Sequence, residues 1–184
     1  RLSNSNHSNH ANITYDYCDE DGVVLYQKVR TLQKKFWLQT PDGKKNLSDV
    51  RRVLYRLPEL IKSTGIIFII GGEKDVETLM KHKLTATTND NGEGNWRPEF
   101  SQYFKNRDVV ILEDNDAKGE KHGGVVSKSL EGIARSIRIV KFPELDKGGD
   151  VTDYLLSHTI EEFHKKVKES EALGAEWVEQ KLIY

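Results

Sequence analysis

Three short acidic stretches hold the residues of this chain best suited to chemistry. Gly71-Gly72-Glu73-Lys74-Asp75 follows the apolar run from Gly65 to Ile70, and Glu113-Asp114-Asn115-Asp116 follows Val109 to Leu112. Gly148-Gly149-Asp150-Val151-Thr152-Asp153 follows Ser136 to Val140 and a short loop. Each lies where a buried strand is predicted to end, and open parallel sheets bind ligands outside the carboxyl ends of their strands. Carboxylates that converge on one sheet edge repel one another unless a cation joins them. Oxygen donors favour Mg²⁺ or Mn²⁺ over zinc, and such an ion retains waters and bridges to phosphate oxygens, as phosphoryl or nucleotidyl transfer requires. Asp114 and Asp116 are alternate residues, so at a strand end both can face one side. The competing reading is that aspartates simply cap helices and build turns.

Glycines and cations frame these carboxylates. Gly71 and Gly72 allow close approach of a phosphate, which Lys74 could pair. Lys118, Lys121 and His122 open the helix predicted after Asp116, where a helix N-terminus already favours anions. The Asn89–Trp96 loop is either a substrate loop or a turn anchored by Trp96. A second resource lies upstream. Between Lys28 and Arg56 there are nine cations, among them Lys34, Lys35, Arg51 and Arg52, against two anions, with Tyr26, Phe36, Trp37 and Tyr55 interleaved. Cations neutralise phosphates and aromatic faces stack bases, so this is a candidate nucleic-acid surface; the alternative is the solvated face of a small β-unit with an aromatic core. From Glu144 onward ten acids outnumber five lysines.

The elements that must position these groups change character at residue 65. Residues 1–12 are polar and read as a linker or tail, in which His7 and His10 are expected to bind nothing. Ile13, Tyr15 and Tyr17 alternate along one strand, Glu20 to Gly22 turns, and Val23 to Thr31 returns; Lys35 to Gln39 is a third strand, and a short helix starts near Pro58. Residues 13–62 thus form a basic, β-rich lead-in. Over 63–168, strands at Ile66–Ile70, Leu84–Thr88, Asp108–Leu112 and Ser136–Val140 alternate with helical stretches, which implies a parallel sheet flanked by helices. Thr159 and Glu162 form a capping box for a last helix, and 169–184 is predicted helical as well.

With 184 residues, 36% apolar and 31% charged, the chain is too polar for a membrane protein and too rich in core formers for wholesale disorder. No run of about eighteen apolar residues predicts a membrane span. Its one cysteine, Cys18, excludes an internal disulfide framework and a zinc site built from its own cysteines. Nothing resembles a signal peptide, so a cytoplasmic location is expected, and the start at Arg1 suggests a fragment or processed product. There is no Walker A motif, GxGxxG, nucleophile elbow or HExxH.

Taken in order, Gly72-Glu73-Lys74-Asp75, Leu112-Glu113-Asp114-Asn115-Asp116-x-x-Gly119-x-x-His122 and Gly149-Asp150-Val151-Thr152-Asp153-Tyr154-Leu155 resemble the motifs of the Toprim domain. That domain is shared by primases, topoisomerases and some nucleases. The resemblance is strongest to primase-like proteins of phages, plasmids and mobile elements, in which a β-rich lead-in ends much like Val53-Leu54-Tyr55-Arg56-Leu57-Pro58-Glu59-Leu60, and it covers about Ile13 to Val167.

It implies a Toprim-like α/β fold and Mg²⁺- or Mn²⁺-dependent RNA primer synthesis on a DNA template. Asp114 and Asp116 would be the metal ligands, and Asp75, Asp150 and Asp153 would complete the acidic site. The implied partners are DNA, nucleotides, and a replicative helicase or further domains of a parent protein. One position departs. Where the family has a catalytic glutamate directly before the first-motif glycine, this chain has Gly71, which can neither ligate through a side chain nor move a proton. Three accounts stand: a natural inactive binder, an altered residue, or compensation by Glu73 or Glu113. A Toprim nuclease would explain the two aspartates but neither the lead-in nor the Gly-Asp-Val-Thr-Asp ending.

Overall fold

A computed structural model describes residues 12–92, 95–170 and 172–173. Strands β1 (Ile13–Cys18), β2 (Val24–Arg30) and β3 (Phe36–Gln39) form an antiparallel sheet in sequence order, as the alternating pattern predicts. The Asp19 carboxylate accepts the amides of Asp21 and Val23 and closes the first turn. The register pairs Tyr15 with Lys28, Tyr17 with Tyr26, Lys28 with Leu38 and Arg30 with Phe36. Directly opposed residues share a sheet face. One face therefore carries Tyr15, Tyr17 and Tyr26 at one end, all buried, and Arg30 and Phe36 at the other. Helix α1 (Leu57–Lys62), with Pro58 in its first turn, buries Leu57 and Leu60.

The second sheet has the order β5-β4-β6-β7-β8, from β4 (Ile67–Ile69), β5 (Thr85–Thr87), β6 (Asp108–Glu113), β7 (Ser136–Lys141) and β8 (Ala172–Leu173). The first four are parallel; β8 pairs antiparallel with β7. All residues of β4 and β6 are buried, which is why both read as unbroken apolar runs. Helices α2 (Glu73–Lys81), α3 (Ala117–Leu130), α4 (Val151–Ser157) and α5 (Ile160–Glu169) complete this layer, and Pro98–Phe104 is a 3₁₀ turn. The order reverses between β4 and β6, because β4 leads through α2 to β5 on one side and β6 leads through α3 to β7 on the other. In such sheets the reversal opens the ligand crevice.

Two features differ from the sequence reading. Helix α4 has no counterpart there, since seven residues are too few to display a helical repeat. The helix expected over 169–184 gives way, at Ala172–Leu173, to an edge strand; the rest of that stretch, and residues 1–11 with His7 and His10, lie outside the described residues. Among the described residues no helix is long and apolar enough to cross a membrane.

Gly119 sets how closely α3 approaches the end of β6, because a Cβ there would stand 2.3 Å from the Asp114 carbonyl oxygen. Gly119→Ala must push backbone against backbone, and is expected to cost about 2 kcal/mol in urea unfolding.

Candidate functional site

Gly71 and Asp114 face each other across the reversal point. A Cβ built on Gly71 would lie 3.3 Å from Asp114 Oδ2, so the space beside this carboxylate is where a side chain at position 71 would stand. Asp116 caps α3, its Oδ1 accepting from the amides of Lys118 (2.9 Å) and Gly119 (2.8 Å). The backbone between the two aspartates is clamped to the third acidic stretch. The Asn115 amide donates to the Gly149 carbonyl, the Gly148 amide donates to the Asn115 carbonyl (both 2.9 Å), and the Asn115 side chain donates to the Leu145 carbonyl at 2.6 Å. The second and third stretches therefore meet at one rim, as the sequence spacing suggested.

The first and third also meet. Lys74 Nζ lies 2.8 Å from Asp150 Oδ2 and 3.8 Å from Asp75 Oδ1. The Thr152 hydroxyl lies against both Asp75 Oδ1 and Thr78 Oγ1. Burial and the neighbouring Asp150 charge push the Asp75 carboxyl up to about 6, against the Thr152 hydrogen bond and the Lys74 charge. Burial opposes ionisation of Asp150 too, but the Lys74 ammonium overrides it and holds that carboxyl below its ordinary range. Asp150 and Asp153 form the reciprocal capping box of α4. Asp153 is exposed and, like Asp116, has a helix-capping task whatever else it does.

Above this rim sits the N-terminal sheet, and the cleft between them, of about 740 Å³, is lined by six cations (Lys28, Arg30, Lys34, Lys74, Lys118, Lys121) and four carboxylates (Glu73, Asp75, Asp90, Asp150). Internal pairing engages three of these acids: Lys28 binds Glu73 at 2.8 Å, Lys74 binds Asp150, and Arg52 binds Asp90 at 2.7 Å. The fourth, Asp75, is buried against the Thr152 hydroxyl with Lys74 3.8 Å away. Arg30, Lys34, Lys118 and Lys121 have no carboxylate partner among the described residues, so the cleft presents a net positive wall beside the acidic rim.

Several residues singled out in the sequence fall elsewhere. Glu73 is 4% exposed, accepting the Tyr17 hydroxyl at 2.6 Å and the Lys28 ammonium, so it fastens the N-terminal sheet to α2 and is not poised beside Asp114. Glu113 points to the α3 side, where a Cβ on Gly123 would collide with its Oε1 and Lys141 lies 3.4 Å away. Neither glutamate takes the place left at Gly71. His122 is 2% exposed, and burial pushes its imidazole down to about 4, which leaves it neutral and unsuited to phosphate. Arg51 is held by both Glu20 oxygens at the surface, and Arg52 pairs with Asp90 over the Tyr26 ring. Lys35 is exposed beside β3.

Sequence reasoning missed Tyr17 and Thr152, whose partners lie 56 and 77 residues away and leave no local signal. Tyr17→Phe removes a hydrogen bond to a buried carboxylate and is expected to lower stability by about 2 kcal/mol by urea titration.

The donors at the rim are all oxygens, the set that suits Mg²⁺ or Mn²⁺. Among the described residues no group of three or more histidine, cysteine or acidic side chains is assembled as a cage. Such ions are commonly held by one or two carboxylates, with waters and substrate phosphates completing the shell. Asp114, facing Gly71, and Asp116 are two such carboxylates.

No protein-family profile matches the chain, and neither does any curated protein. Solved structures do. The chain has the fold of primase catalytic cores, a Toprim-like α/β sheet with an antiparallel β-rich lead-in. It resembles the Aquifex aeolicus primase zinc-binding and RNA polymerase domains with a TM-score of 0.70 at 18% identity, over 88% of this chain and 41% of that one. The E. coli primase catalytic core aligns with a TM-score of 0.67 at 17% identity, over 88% and 53%. The assembly of bacteriophage T7 lagging-strand DNA polymerase with primase domains of two gp4 subunits, bound to an RNA/DNA hybrid and dTTP, aligns with a TM-score of 0.62 at 22% identity, over 85% and 76%. The chain thus spans about half or less of the two bacterial proteins.

Proposed function

We propose that this chain is a primase-type module that binds single-stranded template and nucleoside triphosphate in its cleft and holds Mg²⁺ or Mn²⁺ on Asp114 and Asp116. In this reading Gly71 leaves it a poor nucleotidyl transferase. The observation that carries the proposal is the juxtaposition of a surplus-cation wall with an oxygen-donor rim at the sheet's reversal point. Cations without carboxylate partners attract phosphates, and the carboxylates draw the ion that phosphates also ligate. Such an ion, when bound, would stabilise the charge that develops on the transferring phosphate.

The chain's own residues would do the rest. Lys118 and Lys121 lie in the first turns of α3, where triphosphate oxygens would meet their ammoniums, the Lys118 and Gly119 amides being taken by Asp116. Lys74 holds Asp150 and Asp75 together. At position 71 no group accepts the proton of an attacking 3′-hydroxyl, and Glu73 and Glu113 are engaged elsewhere. This favours the reading of a catalytically impaired binder over one in which another glutamate substitutes. The lead-in sheet that closes the cleft favours a primase-type module over a free-standing Toprim nuclease. A cytoplasmic replication role beside a helicase or other domains of a parent protein follows from the same proposal.

Calorimetric titration with Mn²⁺ tests it. Wild type is expected to bind, and Asp114→Asn/Asp116→Asn to lose at least tenfold in affinity. Equal affinity in the two would overturn the metal assignment.

A further inference from the structure

We propose that Phe36 is a base-stacking platform at the mouth of the cleft, over which a single-stranded nucleic acid passes. This rests on the nucleic-acid reading above and names a residue and a contact within it. Of the four aromatics interleaved with the basic stretch, Tyr26 and Tyr55 are buried core, and Trp37 is half-buried with its indole N–H donated to Gln39 Oε1 at 2.8 Å. Phe36 alone of these is spread into solvent, 52% exposed.

Its placement follows from strand register. Phe36 opposes Arg30, on the face that at its other end buries Tyr15, Tyr17 and Tyr26 and donates Tyr17 to Glu73. The covered end of that face is anchored to α2, and the uncovered end overhangs the cleft, whose wall includes Phe36. Lys28 Nζ and Arg30 Cζ lie over the ring, 5.3 and 5.6 Å from its centroid and within cation–π range, so they steady it, and a base would stack on the part of the ring left to solvent. The ring also borders an adjoining hollow of about 490 Å³ with Leu38, Lys45 and Arg52, and the two hollows share Lys28, Phe36, Asp90 and Asn91 in their walls.

A solvent-facing phenyl ring gains nothing from water, and Lys34 beside it has no carboxylate partner among the described residues. A single strand satisfies both groups at once, with a base on the ring and its phosphates on the cations. A duplex keeps its bases stacked internally and offers only the phosphates.

The test is fluorescence anisotropy with labelled oligothymidylate and with an abasic oligomer of equal length. The proteins compared are wild type, Phe36→Ala and Phe36→Trp, each checked for unchanged folding by circular dichroism. Phe36→Ala is expected to weaken thymidylate binding about tenfold and abasic binding hardly at all, since one stacked base is lost. Phe36→Trp is expected to keep wild-type affinity, with the new indole fluorescence quenched by thymidylate and not by the abasic strand. If Phe36→Ala weakens both oligomers alike, or neither, the stacking role is overturned while the nucleic-acid reading stands. If wild type binds neither oligomer, the nucleic-acid reading itself fails.

Discussion

Gly71→Glu is expected to raise primer synthesis in Mn²⁺ by about 10²- to 10⁴-fold, the usual range for a positioned proton-transfer group. The argument is geometric. The Cβ of a residue at 71 points at Asp114 Oδ2 from 3.3 Å, a fit that needs the neighbour to yield by only a few tenths of an ångström. The added carboxylate then shares the rim with Asp114, where like charges repel until a divalent ion joins them. The variant should therefore melt below wild type in chelator and gain more than wild type does from Mn²⁺. A primer-synthesis assay paired with thermal melts at both conditions reads the two effects together. Equal activity of the two proteins would show that position 71 does not limit the chemistry.

Asp75→Asn is expected to stabilise the protein at neutral pH by up to about 3 kcal/mol. The Asp75 carboxyl titrates at about 6 in the fold, against an ordinary value near 3.8. Between those values the folded chain holds a proton that the unfolded chain releases, so stability from this group is present below pH 3.8. It is lost as pH rises through 6. The gap corresponds to about 3 kcal/mol of strain at pH 7, caused by burial first and the Asp150 charge second. Asparagine keeps the acceptor for Thr152 and offers Asp150 a permanent donor. Urea midpoints at pH 4.5 and pH 7 test this: the variant's advantage should be small at the lower pH and grow toward the higher. An advantage independent of pH would mean that the repulsion is not what Asp75 contributes.

All strands but β8, whose two residues were read as part of a helix, were legible because each carries its own pattern: alternation in Tyr15 and Tyr17, continuous apolar runs in Ile67–Ile69 and Val109–Leu112. The meeting of the three acidic stretches was legible from where those strands end. The division of labour among the carboxylates was not. Asp116, Asp150 and Asp153 satisfy helix N-termini, a role the capping alternative anticipates for aspartates in general without saying which ones. Glu73 and His122 were read as site residues from their neighbours in the chain, yet each turns into the interior, because a helix places successive residues on different sides. The fate of Glu73 depends on Tyr17 and Lys28, which lie far off in the chain, and that of His122 on how the helix that contains it packs.

The ties between Tyr17, Lys28 and Glu73, and between Arg52 and Asp90, have a consequence for how the slot responds to its surroundings. Their carboxylates are buried, at 4% exposure for Glu73 and 2% for Asp90, and so are shielded from dissolved ions, whereas Lys118 and Lys121 stand exposed. Raising ionic strength should thus strip ligands from the walls without changing the gauge between them, so grip and width are governed by two separate sets of charges.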